Sequence, residues 1–599
     1  MRRVFLLGFL LAAATAFGQR GGGGGGGNPP LASLKTVTPP QPTNLDRYVL
    51  DQNALVILGK ALFWDMQAGS DGTTACATCH FHAGADHRLQ NQLSGRDAVI
   101  NQVLTSQDFP FHKLANVGNN GSAVLSDKQQ VTGSMGVIAN AFVGVDAGNV
   151  TDLSSSVSVP SPFMPNGIHV RQVTTRNSPS VINAVYNYRN FWDGRASNVF
   201  TGATPFGDSD TGLRALAYRN GTLQPEAVRI ENASLASQAV GPILSSTEMS
   251  WAGRAWRELG RKLLSLPPLA RQKVSQGDSV LGGMANPDGN GLRPEWSYAA
   301  LIQAAFRPEY YSAVDAVDGY TQAESNFGIF WGLAIQAYES TLVANDSRVD
   351  QFLEGNTAAL TGLEQQGLNE FRGGGSQCTN CHNGAEFTAA GWSGVLRRNG
   401  NLAAPANVGF FRIGLRPIAE DIGLGGADDF GLALFAQATA QAAGTFKAPG
   451  LRNVEFTGPY FHNGSQATLD QVLEFYARNA DFPAGGNLGP GIGNIRLNQA
   501  ERTSVVAFLK ALSDDRVRYQ RAPFDHPSLC VPNGQVELSL GLLATDPAQS
   551  GSVALDKWAL VSEIGKEGST VPLQTFDELL SGIGNDGTRA NTMTAVCKP

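Results

Sequence analysis

The stretch "ACATCHFHAG", residues 75–84, decides how this chain is read. Two cysteines, Cys76 and Cys79, stand three apart, and His80 follows at once. The same spacing returns at Cys378, Cys381 and His382, in "CTNCHNG". C-x-x-C-H is the attachment pattern of c-type haem: the thiols add across two vinyl groups, and the adjacent imidazole meets the iron from the proximal side. A thioredoxin-like dithiol does not need the histidine. A structural zinc wants four ligands closing on one metal, not two pairs hundreds of residues apart. The sequence therefore predicts two covalent haems, with His80 and His382 as proximal ligands.

Around these motifs the chain has 599 residues, too many for one ordinary core, with 42% hydrophobic and 16% charged residues. Arg2 and Arg3, the apolar run Val4 to Leu11, and small residues Ala16 and Gly18 before Gln19 read as a secretory signal peptide over 1–18. The mature chain is expected to be exported, periplasmic or beyond, without a membrane span. Residues 19–44 are Gly- and then Pro-rich and read as a flexible linker. The formal charge is −7, and Lys and Arg form no run or stripe, so nucleic acid is not an expected partner. Cys530 and Cys597 stand alone in the C-terminal tail, where a disulfide and two thiols both remain open.

Helical signals lead into and follow both motifs. "ALVILGKALF" at 54–63 precedes the first, and "FGIFWGLAIQAYEST" around 323–341 is long and apolar. Thr361 with Glu364, Thr468 with Gln471, and Asn498 with Glu501 make capping-box patterns ahead of periodic runs. Residues 97–170 read as an insertion of loops and short strands, and beyond 515 the pattern fades into a tail.

The distal ligands are less plain. Between His382 and the tail there is no Met until Met593. His462, His526 and the tyrosines remain, Tyr476 among them on the apolar face of a capped helix. From the pattern alone a core tyrosine with a satisfied hydroxyl is the favoured account of Tyr476. Near the first haem, His82, His87, His112 and His169 are the other histidines. His82 and His87 read as loop or propionate-contact residues, and an open site is expected.

The chain resembles the bacterial di-haem cytochrome c peroxidase family, which includes the MauG-type enzymes. The matching stretches are "LGKALFWD" at 58–65, "RNSPSVINAVYNYRNFWDGRA" at 176–196, "GPILSSTEM" at 241–249, "CTNCHNGAEFT" at 378–388, "FKAPGLRNVEFTGPYFHNGSQATLDQVLEFY" at 446–476 and "VVAFLKAL" at 505–512. They cover most of residues 50–515, but neither the 97–170 insertion nor the tail. The resemblance implies a mainly α fold of two cytochrome c-like haem domains with loop-rich insertions: 45–320 around a peroxidatic haem, 321–515 around a low-spin haem, and 516–599 as an extension.

It also assigns residues. Tyr476 stands where the peroxidase branch has a Met ligand and the MauG-type branch a Tyr. Glu248 matches the distal acid–base carboxylate, with Gln238 and Pro242 at the spacing of the MauG-type distal pocket. Where some peroxidases carry a displaceable distal His, this chain has Arg96. Trp192 matches the tryptophan between the haems. Asn177, Thr457 and Pro459 match positions that hold a calcium ion, whose preference for oxygen donors they suit. The implied activity is peroxide reduction at the first haem, drawing electrons from residues of a partner protein, as in MauG. Alternatives are a peroxide-detoxifying enzyme fed by a small redox protein and a non-catalytic di-haem carrier. A haem dioxygenase of polymer carbon bonds shares the scaffold, and Glu248 speaks for peroxide chemistry instead.

Overall fold

The computed structural model describes residues 28–599 apart from 91–92, 159–161, 211–213, 314–316, 400–407, 422, 424–442, 485–487, 540, 548, 550–551, 592 and 594. The expected signal peptide and the run of glycines at 21–27 lie outside the described residues.

Two helix pairs frame the two motifs, and the same device joins each pair. Ahead of Cys76 runs α1 (Gln52–Trp64), whose N-terminus is capped by the Asp51 carboxylate. A second helix, α2 (Ser234–Ala239), precedes α3 (Phe327–Glu339), which is buried along almost all its length. The close approach of α1 to α3 needs Gly59: a Cβ there would sit 1.9 Å from the Ala334 carbonyl oxygen. Ahead of Cys378 runs α4 (Gly362–Arg372), with the Thr361/Glu364 capping box in place. Next come α5 (Leu469–Ala477) and α6 (Gln499–Ala511), both opened by their expected boxes. Here Gly367 of α4 takes the part of Gly59, and its Cβ would lie 1.9 Å from the Ser504 carbonyl oxygen of α6. Leu368, Phe371, Leu473, Val505 and Phe508 then close the second core.

Helix accounts for 29% of the structure and strand for 17%, so "mainly α" describes the layers around the motifs better than the whole chain. Most of the strands come from the regions that the resemblance leaves out; the hairpin Ala215–Arg219 with Thr222–Glu226 and the short pair Phe410–Phe411 with Phe446–Lys447 do not. The insertion forms two-stranded antiparallel pairs: β1 (His112–Leu114) with β2 (Val124–Asp127), β3 (Met135–Ile138) with β6 (Arg171–Val173), and β4 (Asn140–Gly144) with β5 (Leu153–Ser156). It also touches both halves. Asp152 is buried against Arg254 and Lys262, while Thr132 N donates to Asn463 O at 2.9 Å.

The tail departs from the expectation of fading structure. Strands β7 (Leu529–Gln535), β8 (Asp556–Val561) and β9 (Ala595–Val596) form an antiparallel sheet, and Leu529, Val531 and Val561 enter the core beneath α1 and α3. Cys530 and Cys597 are joined by a disulfide across 67 residues. Lys60 of α1 is fully buried, and its ammonium lies 2.8 Å from Asp278 and 3.4 Å from the tail's Asp525. A charge can sit there only because it is paired. Residues 28–44 also differ from a free tether: Leu34 is buried, and its N–H donates to Asp350 Oδ1 at 2.9 Å.

Candidate haem cavities

The first motif ends in a turn that fixes the histidine. Gly84 adopts φ +75°, and a Cβ there would meet Ser180 Oγ at 2.8 Å. This turn brings the Gly84 carbonyl 2.8 Å from His80 Nδ1, which donates to it. The proton is thereby held on Nδ1, and Nε2 keeps its lone pair. His382 repeats the arrangement. Its Nδ1 faces the Phe387 and Pro449 carbonyls at 3.2 and 3.1 Å. Burial lowers both imidazoles, His382 to about 4, so both rings are neutral and ready to bind a metal. None of the four motif cysteines is in a disulfide, and burial pushes the thiols of Cys79 and Cys378 up to about 12 and about 11. Protonated thiols in apolar walls are poor zinc ligands. Among the described residues no group of three His, Cys, Asp or Glu converges on a common metal position.

A cavity of about 400 Å³ opens beside Cys76, Cys79 and His80. Gln238 from the end of α2, Pro242 from the turn after it, and Glu248 all line it. The Gln238 side-chain oxygen is buried without a hydrogen-bond partner. A second, more apolar cavity of about 150 Å³ is lined by Cys378, Cys381, His382 and Tyr476, with Leu473 and Val505 in its wall. Burial raises the Tyr476 phenol, whose hydroxyl has no hydrogen-bond partner among the described residues. Both cavities fit a haem: each pairs two thiols with an Nδ1-anchored imidazole and keeps an unspent polar group in its wall, which in the first also carries Arg176, Asp193 and Arg195.

Trp192 lines both cavities and a third, of about 120 Å³, between them. Its indole N–H donates to the Asn177 carbonyl at 2.8 Å, and its own carbonyl accepts from Lys447 N at 2.7 Å. Asn177, Thr457 and Pro459 line this middle cavity together. Asn177 Nδ2 donates to the Thr132 carbonyl at 3.1 Å, which leaves the amide oxygen as the side-chain donor to a cation.

The remaining histidines lie elsewhere. His82 and His87 are not cavity residues; they are buried and stacked with centroids 3.5 Å apart. His112 pairs with Asp127 at 3.1 Å, and His169 bridges to Val553 of the tail. His462 lines the second cavity but is bound to the Asp421 carboxylate and stacks on Phe446. His526 sits behind His80, at the first site rather than the second. Met593 packs against the first core, and Arg96 pairs with Asp97 at 2.9 Å on the surface.

Two cavity residues carry no mark in the sequence that singles them out. Glu339 lines the first cavity, 5% exposed, with Oε2 unpartnered, and burial pushes it up to about 8. Its one signal is its place as the lone acid in the apolar run "FGIFWGLAIQAYE". Lys447, pushed down to about 7 by burial, lines the second and middle cavities, and no pattern marks it.

Residues 149–358 match the family model described as di-haem cytochrome c peroxidase. The chain is 29% identical over 359 residues to a cytochrome c551 peroxidase of Pseudomonas aeruginosa, covering 59% of this chain and 70% of that one. The corresponding protein of Nitrosomonas europaea is 26% identical over 345 residues, with 57% and 66% covered, so the chain spans about two thirds of the length of both relatives. The methylamine utilization protein MauG of Methylorubrum extorquens is 26% identical over 184 residues, 30% of this chain and 42% of that one. Among solved structures, the diheme peroxidase BthA from Burkholderia thailandensis aligns with a TM-score of 0.40 at 19% identity, over 79% of this chain and 92% of that one. Among the described residues no helix is long and apolar enough to cross a membrane. With two C-x-x-C-H motifs each opening on its own cavity and the family match over residues 149–358, the chain is similar to the di-haem cytochrome c peroxidases, the likeness of an oxidoreductase acting on peroxide with two covalent c-type haems.

Proposed function

We propose that hydrogen peroxide is reduced in the first cavity and that Trp192 carries electrons to it from the second, which an external protein donor refills. One observation supports this reading above the others: Gln238, Pro242 and Glu248 share a cavity with His80, and Trp192 lines that cavity together with the one around His382. Haem iron held by the two Nε2 atoms supplies the electron chemistry. Everything else falls to side chains. Glu248 takes the proton from the near peroxide oxygen and returns it to the leaving oxygen. The Gln238 oxygen, without another partner, accepts from peroxide and orients it, while Pro242 narrows the space beside it. Tyr476 is the second ligand in the His382 cavity. Asn177, Thr457 and Pro459 hold Ca2+ beside Trp192 through neutral oxygens. In this reading 45–320 and 321–515 are the two haem units, and the chain works outside the cytoplasm.

The donor is a protein. Tyr476 favours residues of a partner protein as the source of electrons, the MauG-like reading. The relatives named cytochrome c551 peroxidase favour a small redox protein instead. Steady turnover with a reduced small cytochrome supports the latter, and an oxidised state that decays only with a partner protein supports the former.

An electron paramagnetic resonance spectrum of the ferric enzyme, before and after stoichiometric peroxide, tests the core of the proposal. One high-spin and one low-spin haem are expected, both signals falling with peroxide. In Tyr476→Met the shared loss disappears. Two low-spin signals untouched by peroxide would leave an electron carrier or a reductively activated enzyme.

A further inference from the structure

A small cavity of about 40 Å³ shares Phe63 and His80 with the first cavity, but not Glu248, and is lined also by Trp64, Tyr338, Gln520 and His526. The aromatic rings form a continuous series. Phe63 lies 6.4 Å from the His80 ring, 5.5 Å from Tyr338 and 5.9 Å from Trp64, centroid to centroid. The Trp64 indole N–H donates to the Tyr338 hydroxyl at 3.0 Å. On its other side the indole stacks on His526 at 4.7 Å and 10°. Trp64, Tyr338 and His526 are each at least 95% buried. The proposed function gives Trp64, Tyr338 and His526 no part; Phe63 and Trp64 lie in a stretch that carries the resemblance, while His526 and Gln520 come from the tail that it leaves out.

Indole and phenol are the side chains most easily oxidised by one electron, and they differ in what they need. A phenol must lose its proton as it loses the electron. The Tyr338 hydroxyl proton has no acceptor among the described residues, and burial raises the phenol further. An indole can lose an electron and keep its N–H. At Trp64 that N–H already points at an oxygen lone pair, which favours positive charge on the ring. His526 brings no opposing charge, because burial pushes it down to about 4 and leaves it neutral at physiological pH. Trp256 and Trp331, by contrast, donate to backbone carbonyls and lack both the phenol and the stacked imidazole.

We propose that Trp64 is a redox-active residue of the first haem site, held by Tyr338 and by His526 of the C-terminal extension. This rests on peroxide reacting at that site. The step moves one electron and no proton: the indole loses an electron to the peroxide-oxidised site, and Nε1 keeps its hydrogen. The external donor later returns that electron. Peroxide still takes two electrons and two protons to give two waters, so Trp64 changes when electrons arrive and not how many. Because the cluster is buried, the oxidised indole is shielded from solvent and persists while the donor is absent.

The test uses the full-length, haem-loaded enzyme mixed with stoichiometric peroxide, without donor, and frozen rapidly for electron paramagnetic resonance. An organic radical is expected whose spectrum narrows when ring-deuterated tryptophan, but not ring-deuterated tyrosine, is incorporated. In a parallel sample held with excess peroxide and no donor, a slower second oxidation should leave added oxygen on the Trp64 peptide in a mass map. In that step the indole loses a further electron, takes up the oxygen of one water and releases two protons. In Trp64→Phe the radical should fall at least tenfold while the ferric haem signals still respond to peroxide. In Tyr338→Phe it should form and decay several-fold faster. Failure of the tryptophan label to narrow the signal, or an undiminished signal in Trp64→Phe, overturns the proposal. So does oxygen found on Trp192 and not on Trp64, or an unchanged lifetime in Tyr338→Phe. If Trp64→Phe does not take up haem, the labelled wild-type spectrum and the peptide map decide. Haem signals indifferent to peroxide overturn this proposal and the proposed function together; responsive haems with no mark on Trp64 overturn this one alone.

Discussion

Glu248 and Glu339 line the same cavity and differ in what their environments ask of them. In the role proposed for it, shuttling the peroxide proton, Glu248 is irreplaceable by an amide: Glu248→Gln should slow peroxide turnover by about 10²–10⁴-fold. Glu339, pushed up to about 8, is already protonated at neutral pH, so Glu339→Gln should change turnover by less than about tenfold. Stopped-flow kinetics of both variants separates the roles. His87 carries a pH dependence of a different kind. Burial pushes it down to about 3, and neither ring nitrogen has a hydrogen-bond partner. Between about 3 and 6.5 the unfolded chain therefore binds a proton that the native chain refuses. Stability contributed here is complete above about 6.5 and lost as pH falls toward about 3. His87→Phe should flatten the acid limb of stability against pH by up to about 1.4 kcal/mol per pH unit, measured by denaturant titration. The cysteines and histidines of both motifs are legible in the sequence because covalent attachment fixes their spacing. Glu248, Gln238 and Tyr476 are legible only through the family's order, since a loop carboxylate and a core tyrosine look the same in a single sequence. Glu339 and Lys447 are not, because what distinguishes them is burial.

Among the elements, the helices that carry the motifs are written openly. Three capping boxes and two apolar runs are enough to name α1, α3, α4, α5 and α6 from the order of residues alone. What the pattern does not say is which helices cross. Gly59 and Gly367 decide it, since each removes a side chain where another helix's carbonyl passes. Gly59→Ala and Gly367→Ala should each destabilise by about 1–3 kcal/mol through overpacking. Gly362→Ala, where nothing lies within 4 Å of the added Cβ, should be neutral or stabilise by up to about 1 kcal/mol. Chemical denaturation of the three variants makes the comparison. The tail strands are hidden for the opposite reason. Leu529–Gln535 is buried on both faces and shifts register between Pro532 and Gln535, and its pairing runs across long separations, such as Leu529 with Val561, so no alternating local period announces it.

For the whole molecule, the regions outside the family resemblance do the joining. Arg171 of β6 reaches Asp71, ahead of the first motif, at 2.9 Å and Asp556 of the tail at 2.7 Å. The disulfide then closes the tail on itself. Replacing Cys530 and Cys597 together by serine should cost about 2–4 kcal/mol by releasing a long loop in the unfolded chain. The loss should appear as earlier release of the tail sheet in hydrogen exchange. Removing the Asp525 carboxylate leaves Lys60 with one partner and should cost about 3–5 kcal/mol, as breaking a buried ion pair does.

The floor beneath His80 has a consequence for how the protein is made. Gln520, Phe524 and His526 follow Cys76 and Cys79 by more than four hundred positions in the chain. A motif made early is therefore completed by residues made much later. Docking of Phe524 and His526 closes the floor of that site, so cofactor attachment is expected to precede closure.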